Sequence, residues 1–214
     1  EGGIGGVNRY GELEGFSNSE LVIQTAMRLD KIRKKIYVQS ESFDELIAYA
    51  SEKEEMLGSI PAIQPLSNKD LKRTASGFGY RIHPIYKISK FHSGMDFTAP
   101  TGTEVYSTGN GVISTVKSAR RELGNHIIVD HGFGYQTVYA HLDKFNVRVG
   151  QKVKRGDVIG YVGSTGLSTA PHLHYEVLVN GRQVDPALYY FNDLTPEEYD
   201  RMLEISSKSG QTFD

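Results

Sequence analysis

The stretch HIIVDHGFGYQTVYAH, residues 126–141, is the part of the sequence that indicates the fold most clearly. Two runs rich in β-branched and aromatic residues, 126–130 and 136–141, flank a turn that contains glycine, which is typical of a β-hairpin. Similar short runs, separated by turn residues, lie on both sides of it, at 104–107, 111–116, 147–149, 158–163 and 174–179. Many short strands at this spacing predict an antiparallel sheet or sandwich.

The N-terminal part has a different texture. Residues 1–16 are rich in glycine and predict a flexible linker or tail. From residue 17 to residue 38 apolar residues recur at steps of three and four, which predicts a helix. A second helix is predicted to start at Ser42, where Ser42-Phe43-Asp44-Glu45 has the pattern of a capping box. We therefore expect a helical hairpin over 17–59 that serves as a spacer or packing element.

The rest of the chain divides into three segments. Pro61 and Pro65 predict a linker over 60–75, the strand-rich domain occupies 76–190, and residues 191–214 form a tail with a short helix capped by Thr195. The predicted fold class is α+β, with a mainly antiparallel β-sheet or sandwich domain preceded by the helical hairpin.

Composition excludes several classes of function. The chain has 214 residues, a net charge of −2 and no cysteine. A net charge near zero disfavours a nucleic-acid partner, and the lack of thiols excludes cysteine nucleophiles, disulfides and cysteine-ligated zinc. The longest apolar runs are too short for a signal peptide or a membrane span. Because the chain begins at Glu1 without a methionine, we expect a trimmed or mature form, whose missing export signal says nothing about location.

Metal-suited side chains occur in three short blocks. His172 and His174 are two residues apart, so a strand would place both on one face, where they share a metal, divide ligation and proton transfer, or are ordinary sheet histidines. His92 and Asp96 are four residues apart, and His141, at the end of the predicted strand 136–141, shares a face with Tyr139 two residues before it. A catalytic zinc site takes three such protein ligands, and an unligated histidine is a natural general acid or base.

The other histidines and the common hydrolase motifs add little. His83, His126 and His131 do not cluster with the three blocks, and His131 in a turn is expected to be structural. The sequence has no His-Glu-x-x-His helix, no Gly-x-Ser-x-Gly elbow and no phosphate-binding Gly-Lys-Ser/Thr loop. Histidine is therefore the available candidate for the general base of a hydrolase.

Taken together, residues 76–186 resemble the lysostaphin/LytM-type zinc metallopeptidases, which cut peptide bridges in bacterial peptidoglycan. The resemblance covers about half the chain and depends on ordered motifs: Ser76-Gly77-Phe78-Gly79-Tyr80-Arg81, His92-Ser93-Gly94-Met95-Asp96-Phe97, residues 124–132, Tyr139-Ala140-His141-Leu142, and residues 163–166 followed by His172-Leu173-His174.

Carried over motif by motif, the resemblance implies a role for each residue. His92, Asp96 and His174 become the ligands of one Zn²⁺ per chain, and His141 and His172 become the unligated catalytic pair. Arg81 and Tyr86 are expected to border the groove and to contact the substrate. The sequence leaves open which of the two catalytic histidines is the general base.

The implied activity is that of a zinc metalloendopeptidase acting on peptidoglycan cross-link peptides, with D-Ala–diaminopimelate links favoured over glycine bridges. The implied location is the periplasm or envelope of a Gram-negative bacterium, with a membrane anchor upstream of the chain. One alternative is a catalytically inactive relative that activates murein amidases, although all five positions are intact. Another is a lipoyl- or biotinyl-type carrier, which residues 147–160 resemble, but we find no suitable acceptor lysine there.

Overall fold

The structure, a computed structural model, describes residues 10–15, 17–67, 73–82, 89–190, 197 and 200, with the backbone alone for 73–75, 81 and 82. The chain forms two compact units, residues 1–53 and residues 54–214. The tail predicted for 191–214, with its helix capped by Thr195, lies outside the described residues except for positions 197 and 200.

A single long helix replaces the predicted helical hairpin. After a short 3-10 helix at Gly11–Leu13, helix α1 runs without interruption over Ser19–Ser59. The prediction of a break at Ser42 was wrong. A capping-box pattern is compatible with a helix start, but it does not by itself end the helix that precedes it. Neither glycine nor proline occurs between Gly15 and Gly58, and a serine in a helix interior costs only about 0.5 kcal/mol relative to alanine.

Thirteen strands follow among the described residues. They are β1 (Arg73–Ser76), β2 (Gly79–Ile82), β3 (Ser89–His92), β4 (Met95–Thr98), β5 (Glu104–Tyr106), β6 (Gly111–Lys117), β7 (His126–Gly132), β8 (Tyr135–Ala140), β9 (Lys144–Phe145), β10 (Lys152–Val153), β11 (Val158–Tyr161), β12 (His172–Val179) and β13 (Arg182–Val184). A 3-10 helix at Pro186–Tyr189 ends this part of the chain.

The strands form one large antiparallel sheet and two small ones. The large sheet has the order β1-β4-β12-β8-β7-β6-β10, and β13 pairs with β12. A three-stranded sheet has the order β5-β11-β9, and β2 pairs with β3 as a hairpin. The hairpin predicted for 126–141 is formed by β7 and β8, with a bulge between Asp130 and Gly132. The α+β class with a mainly antiparallel sheet is thus confirmed.

Strand β12 lies in the interior of the large sheet, between β4 and β8. Because side chains alternate along a strand, Leu173, Tyr175 and Val177 point to one side, where they join a hydrophobic core. His172 and His174 therefore project to the other side. The apolar alternation of this one strand fixes the direction of both imidazoles.

The segment predicted as a linker over 60–75 is packed where the structure describes it. Ala62 and Leu66 are buried. The Ala62 amide donates to the Thr108 carbonyl at 3.1 Å, and the Tyr106 amide donates to the Pro65 carbonyl at 2.8 Å. Proline favours extended backbone, whether that backbone lies in solvent or pairs with a neighbouring segment. Here the extended backbone is paired, so the prolines do not mark an exposed linker.

Candidate metal centre and active site

Three neighbouring strands bring the predicted metal ligands together. His174 on β12 lies directly opposite Asp96 on β4. His92 is the last residue of β3, and the tight connection at Ser93-Gly94 leads directly into β4. A Cβ at Gly94 would overlap the backbone carbonyl of Tyr175, so only glycine lets this connection lie so close to β12.

The three ligand atoms form a nearly equilateral triangle. His92 Nε2 lies 3.1 Å from Asp96 Oδ1 and 3.0 Å from His174 Nδ1, and His174 Nδ1 lies 3.0 Å from the same Oδ1. All three side chains are buried. Metal–ligand bonds of about 2.0–2.1 Å in tetrahedral geometry place ligand atoms about 3.3 Å apart. The triangle therefore matches one face of a zinc tetrahedron.

The outer partners of the two imidazoles fix their tautomers. His92 Nδ1 lies 2.8 Å from the Gly77 carbonyl, and His174 Nε2 lies 3.2 Å from Glu176 Oε1. Both partners only accept hydrogen bonds, so these ring nitrogens carry the protons. The neutral rings then aim the lone pairs of His92 Nε2 and His174 Nδ1 at the Asp96 carboxylate. Three acceptors this close repel one another unless a cation lies between them, so the donor set fits zinc.

Electrostatics keeps Asp96 ionised. Burial raises the pKa of this carboxyl. When no metal ion is bound, a proton on His92 and hydrogen bonds from the His174 and His92 rings lower the pKa by more than burial raises it, so it ends well below the usual range. Either a proton on an imidazole or a bound metal ion would supply the positive charge that stabilises the ionised carboxylate.

Glu176 supports the site, although the sequence analysis did not single it out. Besides contacting His174, its Oε1 accepts a hydrogen bond from Ser93 Oγ. Burial raises the pKa of Glu176, but the hydrogen bonds from His174 and Ser93 contribute to a net lowering, which keeps it anionic. Its position two residues after His174 puts it on the same strand face, and that spacing was the signal that could have revealed it.

The second pair of histidines lies beside the triangle. The rings of His141 and His172 have centroids 4.6 Å apart, and His172 Nε2 lies 4.0 Å from Asp96 Oδ1. His141 Nδ1 lies 2.7 Å from the Thr165 carbonyl, and His172 Nδ1 lies 2.8 Å from the Ala170 carbonyl. By the same argument, Nδ1 carries the proton in both rings, and Nε2 carries the lone pair that a general base needs.

The backbone of His141 is held in an uncommon conformation. Its φ of 61° is in the left-handed region, which a residue with a Cβ seldom adopts. The His141 amide donates to the Leu123 carbonyl at 3.0 Å, and Leu167 donates to the Glu122 carbonyl at 2.9 Å. These bonds tie the loops on either side of the ring together and hold it next to His172.

The other residues singled out in the sequence either lie partly or wholly outside the described residues or are buried away from the triangle. Arg81 is on β2, where the structure describes its backbone alone, and Tyr86 and His83 lie outside the described residues. His131 is buried elsewhere, with its ring nitrogens 2.8 Å from the Asn110 carbonyl and from Thr137 Oγ1. A cleft adjoins the triangle and is lined by Lys90, Phe91, His92, Ser93, Glu122, Leu123 and Leu167.

The sequence matches a known protein family over this region. Residues 90–186 match the family model described as Peptidase family M23. Over 114 residues the chain is 48% identical to the DD-carboxypeptidase/endopeptidase Mpg of Neisseria meningitidis serogroup B, a match that covers 53% of this chain and 26% of the relative. Over 105 residues it is 47% identical to the peptidoglycan DD-endopeptidase ShyA of Vibrio cholerae, covering 49% and 24%. The chain thus spans about a quarter of the length of these curated relatives.

Solved structures are similar as well. A zinc-containing peptidase from Vibrio cholerae matches with 42% identity and a TM-score of 0.53, over 56% of this chain and 37% of that one. The catalytic domain of a prophage-encoded M23 protein, EnpA from Enterococcus faecalis, matches with 32% identity and a TM-score of 0.51. That match covers 58% of this chain and 95% of the EnpA domain.

Proposed function

The chain belongs to peptidase family M23, and on that premise we propose that it is a zinc metalloendopeptidase that hydrolyses peptide cross-links of bacterial peptidoglycan. The observation that carries the proposal is the triangle of His92, Asp96 and His174, with the rings of His141 and His172 beside it. In this account His92, Asp96 and His174 hold one zinc ion per chain. His141 and His172 are the catalytic pair.

The chemistry of zinc and imidazole assigns a separate role to the metal ion and to the two unligated histidines. Zinc, when bound, polarises the scissile carbonyl and makes water a better nucleophile near neutral pH. One of His141 and His172 accepts the proton of the attacking water at Nε2. The other enters the step as an imidazolium, with its second proton on Nε2, and donates that proton to the oxyanion or to the leaving amine. Each ring can accept that proton because its Nδ1–H already faces a carbonyl, Thr165 or Ala170, which stabilises the imidazolium.

For the substrate, we favour the D-Ala–diaminopimelate cross-link. Mpg and ShyA, the relatives described above, are both named for DD-endopeptidase activity. The cleft beside His92 has the open, partly apolar lining that an extended peptide requires, with Lys90 and Glu122 as charged groups for the polar ends of a diaminopimelate. The backbone of Arg81 lies opposite Lys90 in the β2–β3 hairpin, and we propose a substrate contact for Arg81 on the family resemblance. Tyr86 is proposed for the same role on the resemblance alone.

The proposed substrate also sets the proposed location. Peptidoglycan is found only in the bacterial envelope, so we place the protein in the periplasm of a Gram-negative cell, held by an inner-membrane anchor upstream of residue 1. Within the part of the chain that the structure describes, no helix is both long and apolar enough to cross a bilayer. We propose no nucleic-acid partner, in line with the net charge of −2.

Mass analysis of muropeptides tests the proposal. Purified sacculi rich in D-Ala–diaminopimelate cross-links are digested with the zinc-loaded protein, and the expected result is conversion of cross-linked dimers to monomers. Cleavage of pentaglycine-linked peptides alone would overturn the substrate assignment. Stoichiometric zinc without turnover on any cross-linked muropeptide would overturn the peptidase and favour the amidase activator.

A further inference from the structure

Helix α1 has an unusual number of exposed apolar side chains. Fourteen large ones are at least a third exposed: Leu21, Val22, Met27, Leu29, Ile32, Ile36, Tyr37, Val38, Phe43, Leu46, Ile47, Tyr49, Met56 and Leu57. A soluble helix normally buries such residues against a partner, because most helical stability comes from packing an apolar face.

Their spacing follows a heptad repeat. Alternating steps of three and four residues from 22 to 57 define a line that we call the seam: Val22, Thr25, Leu29, Ile32, Ile36, Gln39, Phe43, Leu46, Ala50, Lys53 and Leu57. Seven of the fourteen exposed residues lie on the seam and four flank it, at Leu21, Ile47, Tyr49 and Met56. Apolar heptads sustained over more than three or four repeats are typical of a coiled coil.

The charges along α1 are divided between its halves. Residues 28–35 contain five basic side chains and one acidic one, whereas residues 41–55 contain six acidic side chains and one basic one. The two blocks lie at similar distances on either side of position 40, close to the middle of Ser19–Ser59. Reversing one copy of the helix about its centre therefore places each block opposite a block of the other sign.

We propose that α1 pairs along the seam with α1 of a second copy of this chain, in antiparallel orientation. A parallel pair would set basic against basic and acidic against acidic, which is destabilising. An anionic membrane surface would attract residues 28–35 but repel residues 41–55, so it is the poorer occupant. The antiparallel copy satisfies both the apolar seam and the charge pattern over the full length of the helix.

Analytical ultracentrifugation of the 214-residue protein, with and without a charge on the seam, is the first half of the test. The wild type is expected to be a dimer at micromolar concentration. Ile36→Asp, which places a charge on the seam, should weaken the dimer at least about 100-fold. The matched control is Val38→Asp, an exposed apolar residue off the seam, which should leave the dimer intact.

Orientation is measured by spin labels, since the chain has no native cysteine to interfere. Single substitutions Glu41→Cys and Met27→Cys place labels on the side opposite the seam. In an antiparallel pair the two labels at position 41 are offset by only about 3–6 Å along the helix axes, whereas those at position 27 are offset by about 36–39 Å, from the 1.5 Å rise per residue. Since labels on the outer faces are already about two helix diameters apart, the label–label distance should be about 20 Å longer at position 27 than at position 41. A monomer, or equal distances at both positions, would overturn the proposal.

Discussion

Single residues around the triangle separate metal binding from catalysis. His141→Ala and His172→Ala should each lower kcat by about 10²–10⁴-fold while the protein still binds one zinc ion, because neither residue is a ligand in this account. His174→Ala should instead lose the zinc. Metal content by mass spectrometry and turnover on muropeptides are measured on the same samples. Loss of zinc from His141→Ala or His172→Ala would contradict the division of roles.

Glu176 gives a second prediction at this scale. Removing its carboxylate in Glu176→Ala frees His174 to change tautomer, and we expect zinc affinity to fall about 10–100-fold. Glu176→Gln keeps an oxygen that can accept from His174 Nε2, so its loss should be smaller. Competition with a coloured chelator measures both. Equal affinity of Glu176→Ala and wild type would show that Glu176 does not orient the ligand.

At the scale of elements, backbone carbonyls at the end of α1 accept hydrogen bonds from one side chain, Arg155, in the loop between β10 and β11. Arg155 donates to the carbonyls of Leu57, Gly58 and Ile60 through Nη2, at 2.7, 3.1 and 2.9 Å, and to Thr108 through Nε. Leu57 and Gly58 lie in the last turn of α1, whose carbonyls have no partner within the helix, and Ile60 follows directly after the helix.

Arg155→Ala should therefore lower the free energy of unfolding of the strand-rich unit by about 1–3 kcal/mol. Urea denaturation measures the change, and hydrogen exchange should speed up for amides near residues 57–60. The control is Lys154→Ala, since Lys154 is exposed next to Arg155. Equal stability of the Arg155 variant and this control would contradict the capping role.

The elements also show why sequence patterns succeeded for strands and failed for α1. The hairpin at 126–141 combines β-branched alternation with a glycine turn, two local signals that agree. In α1 the pattern at Ser42 is compatible with a helix start, but continuation depends on the absence of a breaker, which the pattern does not contain. The packing of Ala62 and Leu66 depends on contacts with residues far along the chain, which no local signal reports.

Across the whole molecule, the buried His131 couples stability to pH. Burial lowers its pKa, and the hydrogen bond with the Asn110 carbonyl offsets this only in part. The unfolded chain then binds more protons than the folded one below about pH 6.5, so stability is full above that pH and falls as the pH drops. Unfolding free energies between pH 8 and pH 5 should fall less steeply in His131→Gln than in wild type. Parallel curves would contradict this.

The sequence reveals the five site residues more readily than it reveals the residues that support them. The blocks containing His92, Asp96, His141, His172 and His174 are recognisable because strand periodicity and a family resemblance coincide. Their partners are hidden, since the Gly77, Thr165 and Ala170 contacts use backbone carbonyls, which every residue has. Glu176 differs from these backbone partners because its side chain carries a signal, its spacing of two residues from His174.

The central claim is that His92, Asp96 and His174 together bind one zinc ion. An anomalous-scattering map at the zinc edge, from crystals of the zinc-loaded protein, tests it most directly. We expect a single strong peak about 2.0–2.2 Å from His92 Nε2, His174 Nδ1 and an Asp96 carboxylate oxygen. A peak at other residues, such as His131, or no peak within bonding distance of all three, would contradict it.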